Sequence, residues 1–245
     1  IMVENVDQVA EEVSHEAAHA FTWMSMTGLP DHTATATLVA GVLILAAWAG
    51  RRQLAAASDP VVPDGTLTLR NMLEIFVEQI AGIVEGVLGH HGRKFVPLFG
   101  SFFIFIFAAN MIGLVPGFAP PTSNFNITFA LGVCSFVLYN YYGFAEGGFE
   151  YVKHFVGPIW WLGFLMVPVE LIDNFVRPVS LALRLFGNMT GDHLVLEIFT
   201  DLTKLVVPVI FYVLGAFVSL VQAFVFTLLS VIYVSLALPH GEHHH

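Results

Sequence analysis

The chain has 245 residues, with nine Lys or Arg against 19 Asp or Glu and a formal net charge of −10 at pH 7. Hydrophobic residues make up 56% and charged residues only 11%, whereas ordinary globular proteins carry roughly 25% charged residues. A soluble fold of this size could not cover itself with so few charges, so the composition predicts an integral membrane protein. The long apolar runs described below predict that its fold is all-α. The absence of a basic stripe argues against a nucleic-acid partner, and a single cysteine excludes a disulfide framework.

The N-terminal region predicts the orientation of the chain in the membrane. Residues 1–32 contain six Asp or Glu and no Lys or Arg. Residues 33–50 are an uncharged run of 18, about the minimum length for a membrane-spanning helix. Arg51 and Arg52 follow directly, and basic residues near the end of a span favour the cytoplasmic side. We therefore expect an acidic extracytoplasmic segment over 1–32 and a single membrane domain over 33–245.

Two further segments follow the first span. Residues 66–90 place Leu69, Leu73, Phe76 and Ile80 at three- and four-residue steps, which predicts an amphipathic helix that lies on the membrane or enters it. Residues 95–145 contain no charged residue, and prolines in the middle of this run predict a helical hairpin over 95–145.

Residues 158–238 combine apolar sequence with ionisable groups. The run 205–241 has no Asp, Glu, Lys or Arg over 37 positions, and as one helix it would be about 55 Å long, against a hydrocarbon core of about 30 Å. We therefore expect a long, steeply tilted helical hairpin over 158–238, and about five or six membrane helices in all.

The first half of this hairpin carries a polar stripe. On a helix that Pro178 does not bend, an arc of about 100° holds Glu170, Asp173, Arg177, Arg184, Asn188 and Asp192. Charged groups inside a membrane cost roughly 2.5–3.5 kcal/mol each on insertion scales, so they face protein or water. Arg177 can form an ordinary ion pair with Asp173. Arg184 has no acid three or four residues away, and because a guanidinium stays protonated, its anion should come from elsewhere.

Other polar positions leave two interpretations open. His193 and Glu197 are four residues apart and can interact, either as part of a proton path or as a buried hydrogen-bonded pair without a transport role. Gln222 lies in the next helix. We expect Asn110, Gly215 and Ser219 to serve helix packing or to line the path, since small and polar residues often join membrane helices.

Several segments resemble one family, subunit a, the membrane stator subunit of F-type ATP synthases. The resemblance rests on RPVSLALRLFGNMTGDHL at 177–194, on Glu170, on QAFVF at 222–226, and on FIFAANMIGLVP at 105–116 and NFNITFALG at 124–132. It covers about 95–237. It implies two half-channels for protons or sodium ions, a bacterial plasma membrane and a cytoplasmic C-terminus. The implied partners are a rotor ring of c subunits with one buried carboxylate each, the peripheral-stalk subunit b, the rest of the complex and the lipid bilayer.

The resemblance also implies residue roles. Arg184 matches the essential stator arginine, and Asn188, Gln222, His193 and Glu170 match positions on the ion path, to which we add Asp192 and Glu197. Gly215 stands where many members have His or Glu, and Asp192 where many have a small residue, so we hypothesise that Asp192 replaces the missing titratable group. We expect a transport subunit rather than an enzyme, with no catalytic residue, metal or cofactor, since no phosphate-binding loop is present.

Two other interpretations compete with this one. The segment His15–His19 is a formal H-E-x-x-H zinc motif, but it lies in the acidic segment before the first span, with no third ligand nearby. A secondary ion transporter or channel would use the intramembrane charges as a substrate site. Such transporters often contain paired repeats with broken helices, and the sequence shows no convincing repeat.

Overall fold

The computed structural model describes residues 28–56, 68–156, 163–202 and 206–238. These residues form six α-helices and two short 3₁₀ segments, and no strand is present among them. The helices are α1 (Asp31–Ala56), α2 (Leu69–Leu88), α3 (Val96–Ile112), α4 (Phe125–Val156), α5 (Gly163–Leu202) and α6 (Val206–Ala237), with 3₁₀ segments at Gly89–Phe95 and Pro121–Ser123. The predicted all-α class is confirmed.

Four stretches of the described chain are long and apolar enough to cross a membrane. They are Asp31–Ala55, Gly92–Ile112, Phe125–Gly148 and Pro208–Ala237. Many large apolar side chains on α1, α5 and α6 are exposed, which is the pattern of helices that face lipid or partner subunits. The chain is therefore a multi-pass membrane protein.

The amphipathic helix α2 packs its apolar face on the base of α3. It begins at Thr68, whose side chain accepts a hydrogen bond from the backbone N–H of Asn71, as N-cap residues do. Ile80 and Val84 are buried in the same cluster as Phe99, so one side of α2 belongs to the protein core.

The turn between α3 and α4 is held by polar contacts. Thr122 donates a hydrogen bond of 2.6 Å to the side chain of Asn110, and both residues are buried. Nδ1 of His32, at the start of α1, lies 3.1 Å from the carbonyl oxygen of Pro120. The beginning of α1 and this turn therefore lie at the same end of the bundle.

Arg52 and Lys94 lie at the other end of the bundle. Arg52 lies over the ring of Trp48 near the end of α1, and Lys94 forms an ion pair with Glu146 of α4. The ion pair joins α4 to the segment before α3, two residues before a break in the helical geometry of α4 at Gly148.

Helices α5 and α6 form a long antiparallel hairpin. The rings of Phe199 and Phe211 stack at 4.6 Å, and contacts between Asn188 and Gln222 and between Arg177 and Tyr233 follow in reverse order along α6. The 40 residues of α5 remain one helix through two internal prolines. At about 1.5 Å per residue both helices exceed a core of about 30 Å, a length that the predicted tilt would accommodate.

Helix α4 lies against α5 at very short range. A Cβ added at Gly132 would come within 2.6 Å of the carbonyl oxygen of Pro178, so this approach requires glycine. The rings of Phe136 and Phe175 stack at 5.4 Å further along the same contact. Helix α5 is therefore fixed on one side by α4 and on another by α6.

Candidate functional site

A cavity of about 390 Å³ lies where α5, α6 and the turn after α3 meet. The residues that line it are Leu114, Gly187, Asn188, Met189, Gly191, Asp192, His193, Val195, Leu196, Phe211, Leu214 and Gly215. Four of the positions singled out from the sequence, Asn188, Asp192, His193 and Gly215, thus meet at one place. Because the turn after α3 and the start of α1 are joined, the cavity lies at the end of the bundle opposite Arg52 and Lys94.

The ionisable groups of the cavity come from α5. Asp192 and His193 are both half-buried, and Nε2 of His193 lies 3.5 Å from Oε1 of Glu197. Nδ1 of His193 and the hydroxyl of Thr190 are buried and have no hydrogen-bond partner within the described residues. Buried polar atoms normally have partners. Since His193 lines the cavity, its Nδ1 suits a site that holds water.

A hydrogen bond joins α5 to α6 beside the cavity. Asn188 donates from Nδ2 to Oε1 of Gln222 over 2.7 Å. Gln222 is buried, and so is Ser219 about one turn away on α6. This side-chain bond fixes the amide of Asn188 one helical turn from Arg184.

The two arginines of α5 differ in their surroundings. Arg177 is 23% exposed and donates to Asp173 from Nη2 over 2.5 Å and from Nε over 3.0 Å, which confirms the expected ion pair. Arg184 lies on the outer face of the helix, exposed, between the buried stripe of Leu181 and Leu185 and the exposed Leu183. Within the described ranges no hydrogen bond or ion pair reaches Arg184.

Two predicted path residues lie away from the cavity. Glu170 precedes Asp192 on the same helix by a distance of about 33 Å at 1.5 Å per residue, and it is half-buried near the opposite end of α5. The side chain of Asn110 accepts a hydrogen bond from Thr122 in the turn after α3. The structure therefore separates the polar stripe into a group at the cavity and a group near the start of α5.

The structure also reveals polar contacts that the sequence interpretation missed. Tyr139 of α4 donates a hydrogen bond to Asn174 of α5, whose amide donates to Asn140 over 3.2 Å. Ser135 donates to Ser230 of α6 over 2.9 Å. Ser135, Tyr139, Asn140 and Ser230 lie in uncharged runs, where a polar residue is conspicuous, whereas Asn174 lies beside the charged Asp173. Leu114 gave no such signal, because an apolar residue in an apolar run is unremarkable.

The described ranges contain no group of three or more His, Cys, Asp or Glu residues placed to hold a metal ion. The formal zinc motif at His15–His19 lies outside those ranges, so the structure does not address it.

Fold and site together define a multi-pass helical membrane protein with ionisable groups inside its bundle. The family model described as ATP synthase A chain matches residues 33–235, and the chain belongs to this family. It is 43% identical over 239 residues to ATP synthase subunit a of Bdellovibrio bacteriovorus, covering 97% of this chain and 99% of the relative.

Other relatives carry the same name. ATP synthase subunit a of Geotalea uraniireducens is 42% identical over 225 residues, which cover 92% of this chain and 89% of the relative. The subunit of Sorangium cellulosum is 43% identical over 208 residues, with 84% and 82% covered. These matches confirm the predicted family and lend no support to a secondary transporter.

Proposed function

We propose that the chain is the stator subunit of a rotary ATP synthase, and that it moves ions on and off the carboxylates of a rotor ring. The observation that carries this proposal is Arg184, an exposed cation on a membrane helix without a counter-ion in the described chain. The name shared by the relatives supports it. In this role the subunit transports ions, and ATP is made in a separate soluble head.

The arginine acts through the charge of the rotor carboxylate. An ionised carboxylate is costly in lipid, so it crosses the lipid only when a proton or sodium ion neutralises it. Beside Arg184 the ionised form is stabilised by an opposite charge, and the bound ion leaves. The same positive charge repels a free cation, which prevents a direct leak between the two half-channels.

The outer face of α5 is suited to a close approach by the ring. Gly187 follows Arg184 by nearly one turn and Gly191 by nearly two. Both glycines border the cavity, and a Cβ at either position would meet no atom within 4 Å. Small residues let membrane helices approach closely. A ring helix on this face would bring its carboxylate to Arg184 and Asn188. The peripheral-stalk subunit b would then contact other exposed helices.

The cavity beside α5 serves as the extracytoplasmic half-channel in this proposal. Arg52 and Lys94 lie at the opposite end of the bundle, and basic residues favour the cytoplasm. The cavity end therefore faces outward, the N-terminal segment lies outside, and the C-terminus follows α6 into the cytoplasm. Asp192 and His193 exchange ions with water in the cavity, while Glu170 belongs to the cytoplasmic exit.

The driving energy comes from the membrane potential. Each elementary charge that crosses releases about 2.3 kcal/mol per 100 mV. The ring carries the ion the long way round between the half-channels, and its rotation couples this release to ATP synthesis.

Two arginines on one helix allow a matched test in inverted membrane vesicles. Arg184→Ala should abolish both proton-driven ATP synthesis and ATP-driven proton pumping, while the ring still co-purifies with the subunit. Arg177→Ala removes an equal charge that already has a partner in the chain, so it should retain most of both activities. Normal coupling in Arg184→Ala would contradict the proposal. Arg184→Lys tests the guanidinium itself, because a buried lysine can lose its proton.

A further inference from the structure

One wall of the cavity comes from the turn after α3. Among the lining residues described, only Leu114 lies outside α5 and α6. Its side chain packs on Gly215 of α6, which is buried. This contact limits which side chains can line the cavity.

A side chain at position 215 would collide with the end of the Leu114 side chain. A Cβ added to Gly215 would lie 2.8 Å from Cδ2 of Leu114, while the next atoms of Leu114 are 3.9 Å away. Carbon atoms pack best at about 3.5–4.0 Å, so even a methyl group at 215 would have to displace the leucine side chain.

The backbone of Leu114 cannot easily retreat. A Cβ at the preceding Gly113 would lie 2.4 Å from Cβ of Pro120 and 2.9 Å from Cε of Met189, so the main chain there is already packed on both sides. The hydrogen bonds of Thr122 and His32 hold the rest of the turn. A displaced Leu114 side chain must therefore rotate, and the free space beside it is the cavity.

We propose that Leu114 sets the width of this cavity and, by filling the space over Gly215, restricts the titratable side chains of the cavity to α5. Leu114 is a positioning residue, since it binds no ion and determines where the ionisable groups stand. The inference rests on the proposed function, because it takes the cavity as a half-channel. It explains in physical terms why Asp192 accompanies glycine at position 215.

The test measures passive proton conduction per assembled complex in vesicles whose soluble head has been removed. Gly215→Ala should lower conduction severalfold, because the displaced leucine side chain moves into the cavity. Leu114→Ala with Gly215→Ala should restore conduction, and Leu114→Ala alone should raise conduction above the parental level, because the cavity is then wider. Gly100→Ala is the matched control, since its Cβ would meet Ile80 and Phe76 only at 3.9 Å.

Two results would overturn the inference: parental conduction in Gly215→Ala, or a defect in Gly215→Ala that Leu114→Ala does not relieve. If Gly215→Ala does not assemble, Leu114→Cys in a Cys134→Ser background decides. A membrane-impermeant thiol reagent enclosed in the lumen of these inverted vesicles, which is the extracytoplasmic side, should modify this cysteine and block conduction. An unreactive cysteine would place Leu114 away from the cavity. Arg184→Ala in the same vesicles tests the proposed function separately, because steric rescue between 114 and 215 does not depend on Arg184.

Discussion

The two halves of the α5/α6 hairpin differ in whether their buried polar side chains have hydrogen-bond partners within the chain. In the half near the start of α5, Asn174 bonds to Tyr139 and Asn140, and Ser230 to Ser135, so these polar groups have partners inside the chain. In the half around the cavity, the hydroxyl of Thr190 and Nδ1 of His193 are buried without partners, and Asp192 lies at a cavity wall. A third such hydroxyl, that of Thr227, lies between the two halves.

This difference separates polar groups that stabilise packing from those available to an ion. A closed hydrogen bond contributes about 0.5–1.5 kcal/mol net, whereas a buried polar atom without a partner costs about 1–3 kcal/mol. A fold keeps such open atoms only where water or another subunit completes them. The two arginines differ in the same way, since Arg177 forms an ion pair with Asp173, whereas Arg184 has no ion pair within the described residues. Substitutions of the polar groups without a partner in the chain should change conduction, and substitutions of the hydrogen-bonded groups should change stability.

The largest effect is expected at Asp192. Asp192→Gly removes the carboxylate from the cavity and should lower proton conduction about a hundredfold, the scale on which a positioned acid or base acts. Gly215→His should partly restore conduction by returning a titratable group. Adding Leu114→Ala should improve the rescue, because the new ring then has room beside the cavity. Conduction per assembled complex in vesicles measures all three.

The single variant at position 215 is the control for this rescue. Gly215→His alone should impair conduction, because it retains Asp192 and displaces Leu114. If the effects of the changes at 192 and 215 simply add, the two positions do not share one task, and the hypothesis that Asp192 replaces a missing group at 215 fails.

A smaller effect is expected for the hydrogen-bonded groups. Tyr139→Phe removes the hydroxyl that donates to Asn174, and leaving that buried amide short of a partner should cost about 1–3 kcal/mol. The midpoint of thermal aggregation of the solubilised complex should fall by several degrees, while conduction per assembled complex stays at the parental level. Tyr142→Phe is the matched control, since its hydroxyl makes no hydrogen bond within the described residues. A loss of conduction with unchanged stability would instead assign Tyr139 to the ion path.

Much of the fold was predictable because a bilayer imposes length and polarity on each helix. The uncharged run 33–50 lies within α1, and the three-to-four-residue apolar spacing over 66–90 corresponds to α2 (Leu69–Leu88). The unpaired Arg184 and the paired Arg177 also followed from spacing alone, since four residues along a helix bring side chains together. Roles for these residues remain predictions.

Local sequence patterns could not predict the cavity. Asp192 and Gly215 are far apart in the chain, and only the antiparallel register of α5 and α6 brings them together. Leu114 joins them because Gly113 lets the turn pack against Met189, a contact between apolar groups that leaves no periodic signal. The prolines correctly predicted the turn between α3 and α4, but they could not predict which helices this turn would contact.

The smallest effect is expected for the hydrogen bond between Ser135 and Ser230, both buried. Ser135→Ala should lower stability by about 1 kcal/mol, because Ser230 then has to turn its hydroxyl to a carbonyl of its own helix. Removing both hydroxyls should cost less than the sum of the single changes, since two methyl groups of similar shape can face each other at little cost. A double-mutant cycle on thermal aggregation of the complex gives this coupling. Additive losses in the cycle, or a conduction defect in either single variant, would contradict the assignment of this serine pair to the hydrogen-bonded groups that stabilise packing.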